Sequence, residues 1–308
     1  MSILIRRSNL LVPITDSQLA SQAWRYNSDA ITLDLEDGVV DTRKVEARRL
    51  VKDAIPQAGR GGAQVFVRVN HPFVSADIDS SVWPGLSGIM LPRVESAAEV
   101  LEAEAILTSL ARQRGIALGS LQLILLLESA RGIWDMRESI TASPRVTQVG
   151  LDEGDLSDNL GISPVAEYDP YVYARGRLAI EATAAGVQPL GVAYPLGTQP
   201  RALSSKEMLK TATDSKNLGF KGIICPHPSW VASVNTAFTP TESQVNYYTQ
   251  VRQVFAQAVA AGTAAAPFAG RMIDVPVDEW AKVVLATAEA CAVRDAEKKS
   301  ALDRLARQ

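Results

Sequence analysis

The sequence predicts an α/β fold, with a (β/α)8 barrel in residues 1–235 and a helical segment in residues 236–308. Eight short apolar runs with β character alternate with longer helical patterns along the first part of the chain. This alternation is typical of a barrel of parallel strands. An open doubly wound sheet is the alternative, but no G-x-G-x-x-G or Walker A loop follows any of the runs. The barrel is therefore the preferred prediction.

The predicted strands are short, and most of them end in polar residues. They are Asn9–Pro13, Ala30–Glu36, Gln64–Asn70, Gly88–Arg93, Leu121–Glu128, Val146–Gly150, Pro189–Tyr194 and Gly222–Pro226. In a barrel of this type, catalytic side chains come from the carboxyl ends of several strands. We therefore expect the polar strand ends to meet at one mouth of the barrel.

The segments between the strands carry the start and stop signals of helices. Asp16, Asp41 and Ser96 stand where N-caps are expected, and Gly186 and Gly219 stand where C-caps are expected. The helices predicted in this way are Gln18–Tyr26, Lys44–Ala54, Ala97–Arg114, Tyr171–Ala185 and Ser205–Leu218.

The last part of the chain has a different pattern. A helical stretch, Glu242–Ala260, leads into a linker of small residues at 262–270, and a second helical pattern runs from Asp278 onward. We expect the charged final residues, 297–308, to fray. The segment is interpreted as a lid or an oligomerisation contact.

Composition excludes several classes of protein. The 308 residues are 47% hydrophobic and 21% charged, which is ordinary for a globular protein. A net charge of −3 gives no support for nucleic acid or an anionic membrane as a partner. No apolar run is long enough to span a bilayer, and Cys225 and Cys291 have no metal-type partners nearby in sequence. These features predict a cytoplasmic protein.

The most informative segment reads ITLDLEDGV, from Ile31 to Val39. Its apolar run stops at Asp34, Glu36 and Asp37. Strand alternation puts Asp34 and Glu36 on one face. Carboxylates this dense need a metal ion or an arginine among them. The alternative is a strand that ends in a solvated turn.

Two further carboxylates follow neighbouring predicted strands. Glu128 comes after Leu121–Leu127, seven residues of which six are leucine or isoleucine, so it needs a cationic partner or a proton. A structural ion pair with an arginine is the alternative role. Asp155, in GDLSDNLG, is either a helix N-cap or a second oxygen ligand. Together Glu128 and Asp155 suit Mg²⁺, which takes one or two carboxylates and leaves positions for water and substrate.

The other candidate residues indicate chemistry beside a carboxylate. Arg68, in an apolar strand, can bind a substrate carboxylate or pair with Glu36 or Asp37, and the two roles are compatible. His227 is a base or a structural hydrogen-bond donor. No G-x-S-x-G and no closely spaced His/Cys set occurs. What remains is a reaction in which Mg²⁺ stabilises an alkoxide or enolate next to a carboxylate.

Eight short motifs follow one another along nearly the whole chain. They are RRSNLLVP (with Arg7, Ser8 and Pro13), DAITLDLEDGV, VRVN, MLPRVES, LLESARG, GDLSDNLG, GFKGIICPHPSWV and RMIDVP. In this order they resemble the citrate lyase β-subunit-like group of the HpcH/HpaI aldolase family. The resemblance implies a (β/α)8 barrel that forms trimers or hexamers. It also implies an Mg²⁺-dependent lyase that cleaves or forms 3-hydroxy acyl thioesters, with an acyl thioester and a 2-oxo acid as products.

The resemblance also implies roles for individual residues. Glu128 and Asp155 would hold the metal, and Arg68 would hold the oxo-acid carboxylate. Glu128 and Arg7 complete the implied substrate-binding set. Asp274, in RMIDVP, matches an aspartate that reaches a neighbouring subunit's site and transfers protons; without the resemblance it would be interpreted as a helix cap. Beside these residues, Glu36 and Asp37 are expected to order Arg68 and the surroundings of the metal.

The chain departs from the family pattern at several positions. An arginine replaces a common lysine at Arg93, and the other departures are Ile14 for glycine, Asp152 for glycine, Trp230 for glutamine, and the absence of an aspartate from GVAYPLG. These changes bear on the thioester carrier and on the acyl group.

The leading prediction is a citryl-, malyl- or citramalyl-CoA type lyase, acting as a homotrimer or hexamer on an acyl-CoA and a 2-oxo acid. One alternative is a metal-dependent aldolase for free hydroxy-oxo acids, although that branch typically lacks a helical C-terminus such as residues 236–308. Another is a subunit that works only with a carrier protein inside a complex.

Overall fold

The computed structural model describes residues 3–165, 168–191 and 203–307. Contacts divide the chain into two compact units. The larger unit contains Arg6–Phe238 together with the last residues from Ala301, and the smaller contains the first residues up to Ile5 together with Thr239–Ser300.

The larger unit is built on a closed barrel of eight parallel strands in chain order. The strands are β1 (Ser8–Pro13), β2 (Ala30–Asp34), β3 (Gln64–Arg68), β4 (Leu86–Leu91), β5 (Gln122–Leu127), β6 (Val146–Leu151), β7 (Gln188–Gly191) and β8 (Gly222–Cys225). The predicted (β/α)8 barrel is confirmed, and each predicted strand overlaps an observed one. The final residues of the predicted strand Pro189–Tyr194, and most of GVAYPLG, lie outside the described residues.

Helices follow the strands around the barrel. They are α1 (Ser17–Gln22), α2 (Lys44–Gly59), α3 (Val74–Ser81), α4 (Ala97–Gln113), α5 (Ala130–Trp134), α6 (Met136–Thr141), α7 (Glu153–Leu160), α8 (Val172–Ala184), α9 (Ser205–Asn217) and α10 (Val231–Phe238). Two of the predicted N-caps form, since Asp16 accepts from the amide of Leu19 and Ser96 makes a reciprocal capping box with Glu99. The predicted cap at Asp41 was wrong, because Asp41 lies in a short 3₁₀ helix, Asp41–Arg43, that precedes α2. Helices α3, α5, α6 and α10 were not predicted.

The apolar core has two layers. A large cluster lies between the strands and the helices, and includes Leu33, Val67 and Ile89. A smaller cluster of alternate strand residues fills the barrel and consists of Ala30, Phe66, Met90, Ile124, Leu126 and Leu190. The barrel is therefore a packed core rather than a pore.

Below this interior layer, the amino-terminal end of the barrel is closed by a buried arginine. Arg6 precedes β1 and lies over the ring of Phe66, 4.5 Å from its centroid. Its guanidinium donates to the side-chain oxygens of Gln64, Gln122 and Gln148 at 2.6–2.9 Å. A buried guanidinium is costly unless it is hydrogen-bonded, and these amide oxygens bond it without adding charge.

The smaller unit consists mainly of two long helices and a hairpin. The helices are α11 (Glu242–Ala260) and α12 (Val275–Ala306), and the hairpin pairs β9 (Ala266–Phe268) with β10 (Arg271–Ile273). The prediction of a plain linker at 262–270 was wrong, because Ala269 and Gly270 both take positive φ and turn the chain back. The expected fraying of 297–308 was also wrong as far as Ala306, where α12 ends. Among the described residues, no helix is long and apolar enough to cross a membrane.

Candidate active site

An arginine–aspartate pair joins the ends of β2 and β3. Asp34 and Arg68 are direct neighbours in the register of these strands. The Nε and Nη2 atoms of Arg68 each donate to Asp34 at 2.7 Å. Sequence reasoning proposed Glu36 or Asp37 as the partner of Arg68 and did not identify Asp34 as its main one. The signal was present, since Asp34 is the last residue of the apolar run in the neighbouring strand.

The turn after β2 is built around the same aspartate. Asp34 accepts from the amides of Glu36 and Gly38, both at 2.9 Å. A Cβ at Gly38 would lie 2.6 Å from Asp34 Oδ2 and 2.9 Å from Pro13 Cγ, so only glycine fits. Lys44 holds the turn from outside by donating to the carbonyls of Leu35 and Glu36. The turn therefore presents its remaining carboxylates at a fixed position above the strands.

Glu36 is buried in this turn and lacks a full set of partners. Its Oε2 lies 3.2 Å from Arg68 Nη1 and its Oε1 lies 3.7 Å from Arg93 Nε. Oε2 is buried and makes no hydrogen bond. Burial raises the pKa of Glu36 to about 7, with Arg68 opposing the rise and Asp37 adding to it. Its carboxyl group can therefore exchange a proton near neutral pH.

Asp37 occupies the outer side of the same turn. Its Oδ2 accepts from Arg68 Nη1 at 3.1 Å, but its side chain is 59% exposed. An exposed ion pair of this kind contributes little stability, so a competing anion can displace it from Arg68.

Glu128 follows β5 and points into the same mouth. It is 5% exposed, and its Oε1 makes no hydrogen bond. Burial raises the pKa of Glu128 to about 9, and the negative charges of Asp152 and Glu36 add to the rise. Its predicted position at the end of a buried strand is confirmed. The carboxylate would be strongly stabilised by a cation that reaches it.

Asp155 and Asp152 come from the first turn of α7. Asp152 is the N-cap and accepts from the amides of Gly154 and Asp155. The alternative of Asp155 as the N-cap was therefore wrong, and its carboxylate is left to face the mouth. Burial raises the pKa of Asp152, with backbone hydrogen bonds opposing the rise.

A second ion-pair group holds α7 in place from its other side. Arg175 of α8 makes two hydrogen bonds to Glu153, at 2.6 and 2.7 Å, and one to Asp169 at 2.5 Å. Tyr171 bonds to Ser157 and to the carbonyl of Glu153. These contacts fix the helix that carries Asp155.

Arg93 joins these carboxylates across the mouth. Its Nη2 lies 3.0 Å from Asp155 Oδ2, and its Nε lies 3.5 Å from Glu128 Oε2 and 3.7 Å from Glu36 Oε1. The expected arginine partner of Glu128 is thus Arg93, at long range. Sequence reasoning noted Arg93 as a departure from the family pattern but gave it no role.

Arg7 does not belong to this group. It precedes β1, at the opposite end of the barrel, where its Nε and Nη2 donate to the buried Asp29 at 2.8 and 3.0 Å. The assignment of Arg7 as a substrate-binding residue is therefore corrected. It forms a structural ion pair, because the residue before a strand lies at the amino end, away from the mouth.

The histidines and Asp274 have local structural contacts. His227 is exposed and bonds through Nδ1 to Ser229, at the start of a short 3₁₀ helix. His71 is also exposed, 4.0 Å from Glu99. In the smaller unit, Asp274 accepts from the amide of Val277 and so caps α12. The catalytic role expected of Asp274 stays a prediction.

The mouth fits a divalent cation held by few protein ligands. Glu128 and Glu36 each have a buried carboxylate oxygen without a hydrogen bond. No group of three or more His, Cys, Asp or Glu side chains with metal-binding geometry occurs in the described part of the chain. The carboxylate oxygens of the mouth suit Mg²⁺, which is bound by one or two carboxylates and keeps several waters.

Comparison with known proteins agrees with this geometry. The model of the HpcH/HpaI aldolase/citrate lyase family matches residues 7–228, which include the whole barrel. The chain belongs to this family.

Individual relatives extend beyond the barrel. The citrate lyase subunit beta of Haemophilus influenzae is 30% identical, over 92% of this chain and 97% of that protein. The L-malyl-CoA/beta-methylmalyl-CoA lyase of Rhodobacter capsulatus is 27% identical, over 92% and 95%. The crystal structure of protein CitE from Mycobacterium tuberculosis in complex with magnesium, acetoacetate and coenzyme A has a TM-score of 0.68 and 25% identity, over 92% of this chain and 98% of that one.

Proposed function

We propose that this family member is an Mg²⁺-dependent carbon–carbon lyase that cleaves or forms a 3-hydroxy acyl thioester of the citryl-, malyl- or citramalyl-CoA type. The products of cleavage are an acyl-CoA and a 2-oxo acid. The observation that carries the proposal is the pair Glu128 and Asp155 at the mouth, with a buried Glu128 oxygen that lacks a hydrogen bond. Relatives named as malyl-CoA lyase and citrate lyase support the reaction class.

Glu128 and Asp155 would hold the metal ion, with Glu128 also facing the substrate. When bound, Mg²⁺ supplies a Lewis acid that stabilises negative charge on oxygen as the carbon–carbon bond breaks. A bound cation would replace the proton that burial and acidic neighbours otherwise keep on Glu128, and would thereby neutralise the buried carboxylate.

Arg68 would hold the carboxylate of the 2-oxo acid. The Nε and Nη2 atoms are fixed by Asp34, while Nη1 faces the mouth and bonds to the exposed Asp37. A substrate carboxylate that displaces Asp37 gains a guanidinium already held in one orientation. Asp37 and Glu36 thus keep Arg68 in place when no substrate is bound.

Cleavage requires two proton movements. The hydroxyl loses its proton as the carbon–carbon bond breaks, and the carbon that becomes the acyl α-carbon gains one. Glu36 has a buried oxygen without a hydrogen bond and a pKa of about 7, which suits it to accept and return a proton. Asp274 of a neighbouring copy would handle the second proton.

The role of Asp274 requires a homo-oligomer, a trimer or a hexamer. Mixing two inactive variants tests it. Asp274→Asn and Glu128→Gln chains should each be inactive alone, and subunit exchange should restore part of the activity if each site uses residues of two chains. If the mixture stays inactive while co-purification of differently tagged chains shows mixed oligomers, Asp274 does not act in trans.

An assay of acyl-CoA substrates tests the function itself. The wild type should cleave at least one of citryl-, malyl- or citramalyl-CoA with Mg²⁺ and lose this activity with EDTA. Glu128→Gln should lower kcat by at least about 10³-fold, since it removes a metal ligand. Metal-dependent cleavage that survives this substitution would refute the proposed site.

A carrier-dependent lyase subunit is the second candidate. It is favoured by the naming of several relatives as subunits of citrate lyase. In that case free CoA thioesters would not turn over, whereas the same acyl group on an acyl carrier protein would. Turnover of free hydroxy-oxo acids without any thioester would instead indicate an aldolase.

A further inference from the structure

The most unusual residue of the mouth is Arg93. It follows β4 after Pro92 and has a φ of +54°, a left-handed conformation that side chains other than glycine rarely adopt. Only Asn27 and Ala269 share this property among the described non-glycine residues. Such strain persists where the surrounding structure requires it, and often marks functional positions. Here it directs a long cation over the carboxylates of the mouth.

Arg93 differs from Arg68 in how firmly it is held. Arg68 is 5% exposed and bonds twice to Asp34 at 2.7 Å. The Arg93 side chain is 52% exposed, and its nearest carboxylate contact is a single one of 3.0 Å to Asp155. Its contacts with Glu128 and Glu36, at 3.5 and 3.7 Å, are ion pairs without short hydrogen bonds. Arg93 can therefore leave these partners at low cost.

Arg93 and a divalent cation need the same carboxylates. Mg²⁺ lies about 2 Å from its oxygen ligands, so an ion bound to Asp155 Oδ2 would lie within about 5 Å of the Arg93 nitrogen that contacts this atom. Two cations at that distance repel each other strongly in a partly buried site. Metal binding would therefore displace the Arg93 guanidinium from these carboxylates and leave it free to bind another anion at the mouth.

We propose that Arg93 is a second substrate-binding residue, whose guanidinium is displaced from Glu128 and Asp155 by the metal ion and then binds an anionic group of the substrate. The nature of that anion, a carboxylate of the 2-oxo acid, rests on the proposed function. Arg93 thereby makes the metal-loaded mouth more attractive to anions than the metal-free one.

Calorimetric titration of chelator-stripped protein with Mg²⁺ alone tests the first half. Arg93→Gln removes the competing cation and should tighten Mg²⁺ binding about tenfold. Arg93→Lys keeps the charge and should remain closer to the wild type. Arg137→Gln removes another exposed arginine, paired with Glu181 on the outer helices and 73% exposed against 52% for Arg93, and should change nothing. Unchanged or weaker Mg²⁺ binding by Arg93→Gln would overturn the proposal.

Titration with pyruvate at saturating Mg²⁺ tests the second half. Arg93→Gln should weaken pyruvate binding about tenfold, and Arg137→Gln should not. Pyruvate binding that does not depend on Arg93 would show that the released guanidinium has no substrate role. Neither titration uses a thioester, so both remain informative if the chain cleaves no acyl-CoA. Conversely, cleavage with unaltered metal and pyruvate binding in Arg93→Gln would refute only the role of Arg93.

Discussion

Two arginines at the amino end of the barrel and two at the carboxyl end differ in their hydrogen-bond and ion-pair partners. At the amino end, Arg6 is bonded by glutamine oxygens and Arg7 by the buried Asp29. At the carboxyl end, Arg68 and Arg93 lie among six carboxylates, those of Asp34, Glu36, Asp37, Glu128, Asp152 and Asp155. At the mouth, carboxyl groups therefore outnumber the guanidinium groups of Arg68 and Arg93.

This difference separates stability from function. At the amino end, the hydrogen bonds of Arg6 and Arg7 satisfy buried polar groups and so stabilise the barrel. At the mouth, buried oxygens of Glu36 and Glu128 remain without hydrogen bonds, and burial raises the pKa of both side chains. Buried carboxyl groups with a raised pKa and incomplete hydrogen bonding are found preferentially at functional sites, where a ligand can bind them.

Of the changes that compare the two ends through their arginines, Asp34→Asn should have the largest effect, because it lowers both activity and stability. It removes the charge that fixes Arg68, so kcat/KM should fall by about 10²-fold or more. Stability should fall as well, by about 3 kcal/mol, since the buried guanidinium loses its main partner. Steady-state assays with urea unfolding would measure both effects. Full activity in Asp34→Asn would show that Arg68 needs no fixed orientation.

Asp29→Asn is the matched change at the other end. It should lower the free energy of unfolding by about 3 kcal/mol, because Arg7 is left buried without its carboxylate. The folded fraction should keep its kcat and KM. Loss of activity without loss of stability would mean that the amino end takes part in the reaction and that the contrast between the ends is false.

Glu128→Gln should stabilise the metal-stripped protein at alkaline pH. The pKa of Glu128 is about 9 in the folded chain, above its ordinary value of 4.5, so the folded state binds the proton more tightly. Stability from this group is complete below pH 4.5 and is lost as the pH rises toward 9. At pH 8.5, with EDTA, we expect the variant to be more stable by about 3 kcal/mol.

The same variant should differ little from the wild type at pH 5, where Glu128 is protonated in the folded chain. Urea unfolding at both pH values would measure the difference. An advantage of equal size at both pH values would point to packing rather than to charge.

Gln148→Leu should have the smallest effect. Its side-chain oxygen accepts from Arg6 at 2.6 Å, and two other glutamines also bond to Arg6. We expect a loss of about 2 kcal/mol in the free energy of unfolding, from one buried hydrogen bond to a charged group and a longer one that Gln148 donates to Gln188. Thermal denaturation with unchanged activity would confirm a purely structural role.

Much of the barrel follows from local sequence. Apolar runs such as Leu121–Leu127 predict the strands. The polar residue after each run indicates which end of the strand lies at the mouth of the barrel. The prediction that Arg7 binds substrate was wrong, although its position before β1 indicates the amino end of the barrel. The hairpin β9–β10 was missed because its strands have only three residues each and β9 contains Pro267, which argues against a strand.

The contacts of the mouth could not be predicted in the same way. The pairing of Asp34 with Arg68 depends on strand register, which links residues 34 positions apart. The reach of Arg93 depends on one backbone angle at the end of β4. Neither quantity can be derived from the period of apolar residues, which determines where a strand lies and which face is buried.

Because Glu128 is buried, metal binding should also release a proton from the protein. With a pKa of about 9, this side chain is neutral at pH 7, so a cation that requires its carboxylate must expel a proton into the buffer. Apparent affinity for the ion should then increase by up to about tenfold for each unit by which the pH is raised toward 9. The measured heat of binding should change with the ionisation enthalpy of the buffer, and the Glu128→Gln variant should lose that dependence.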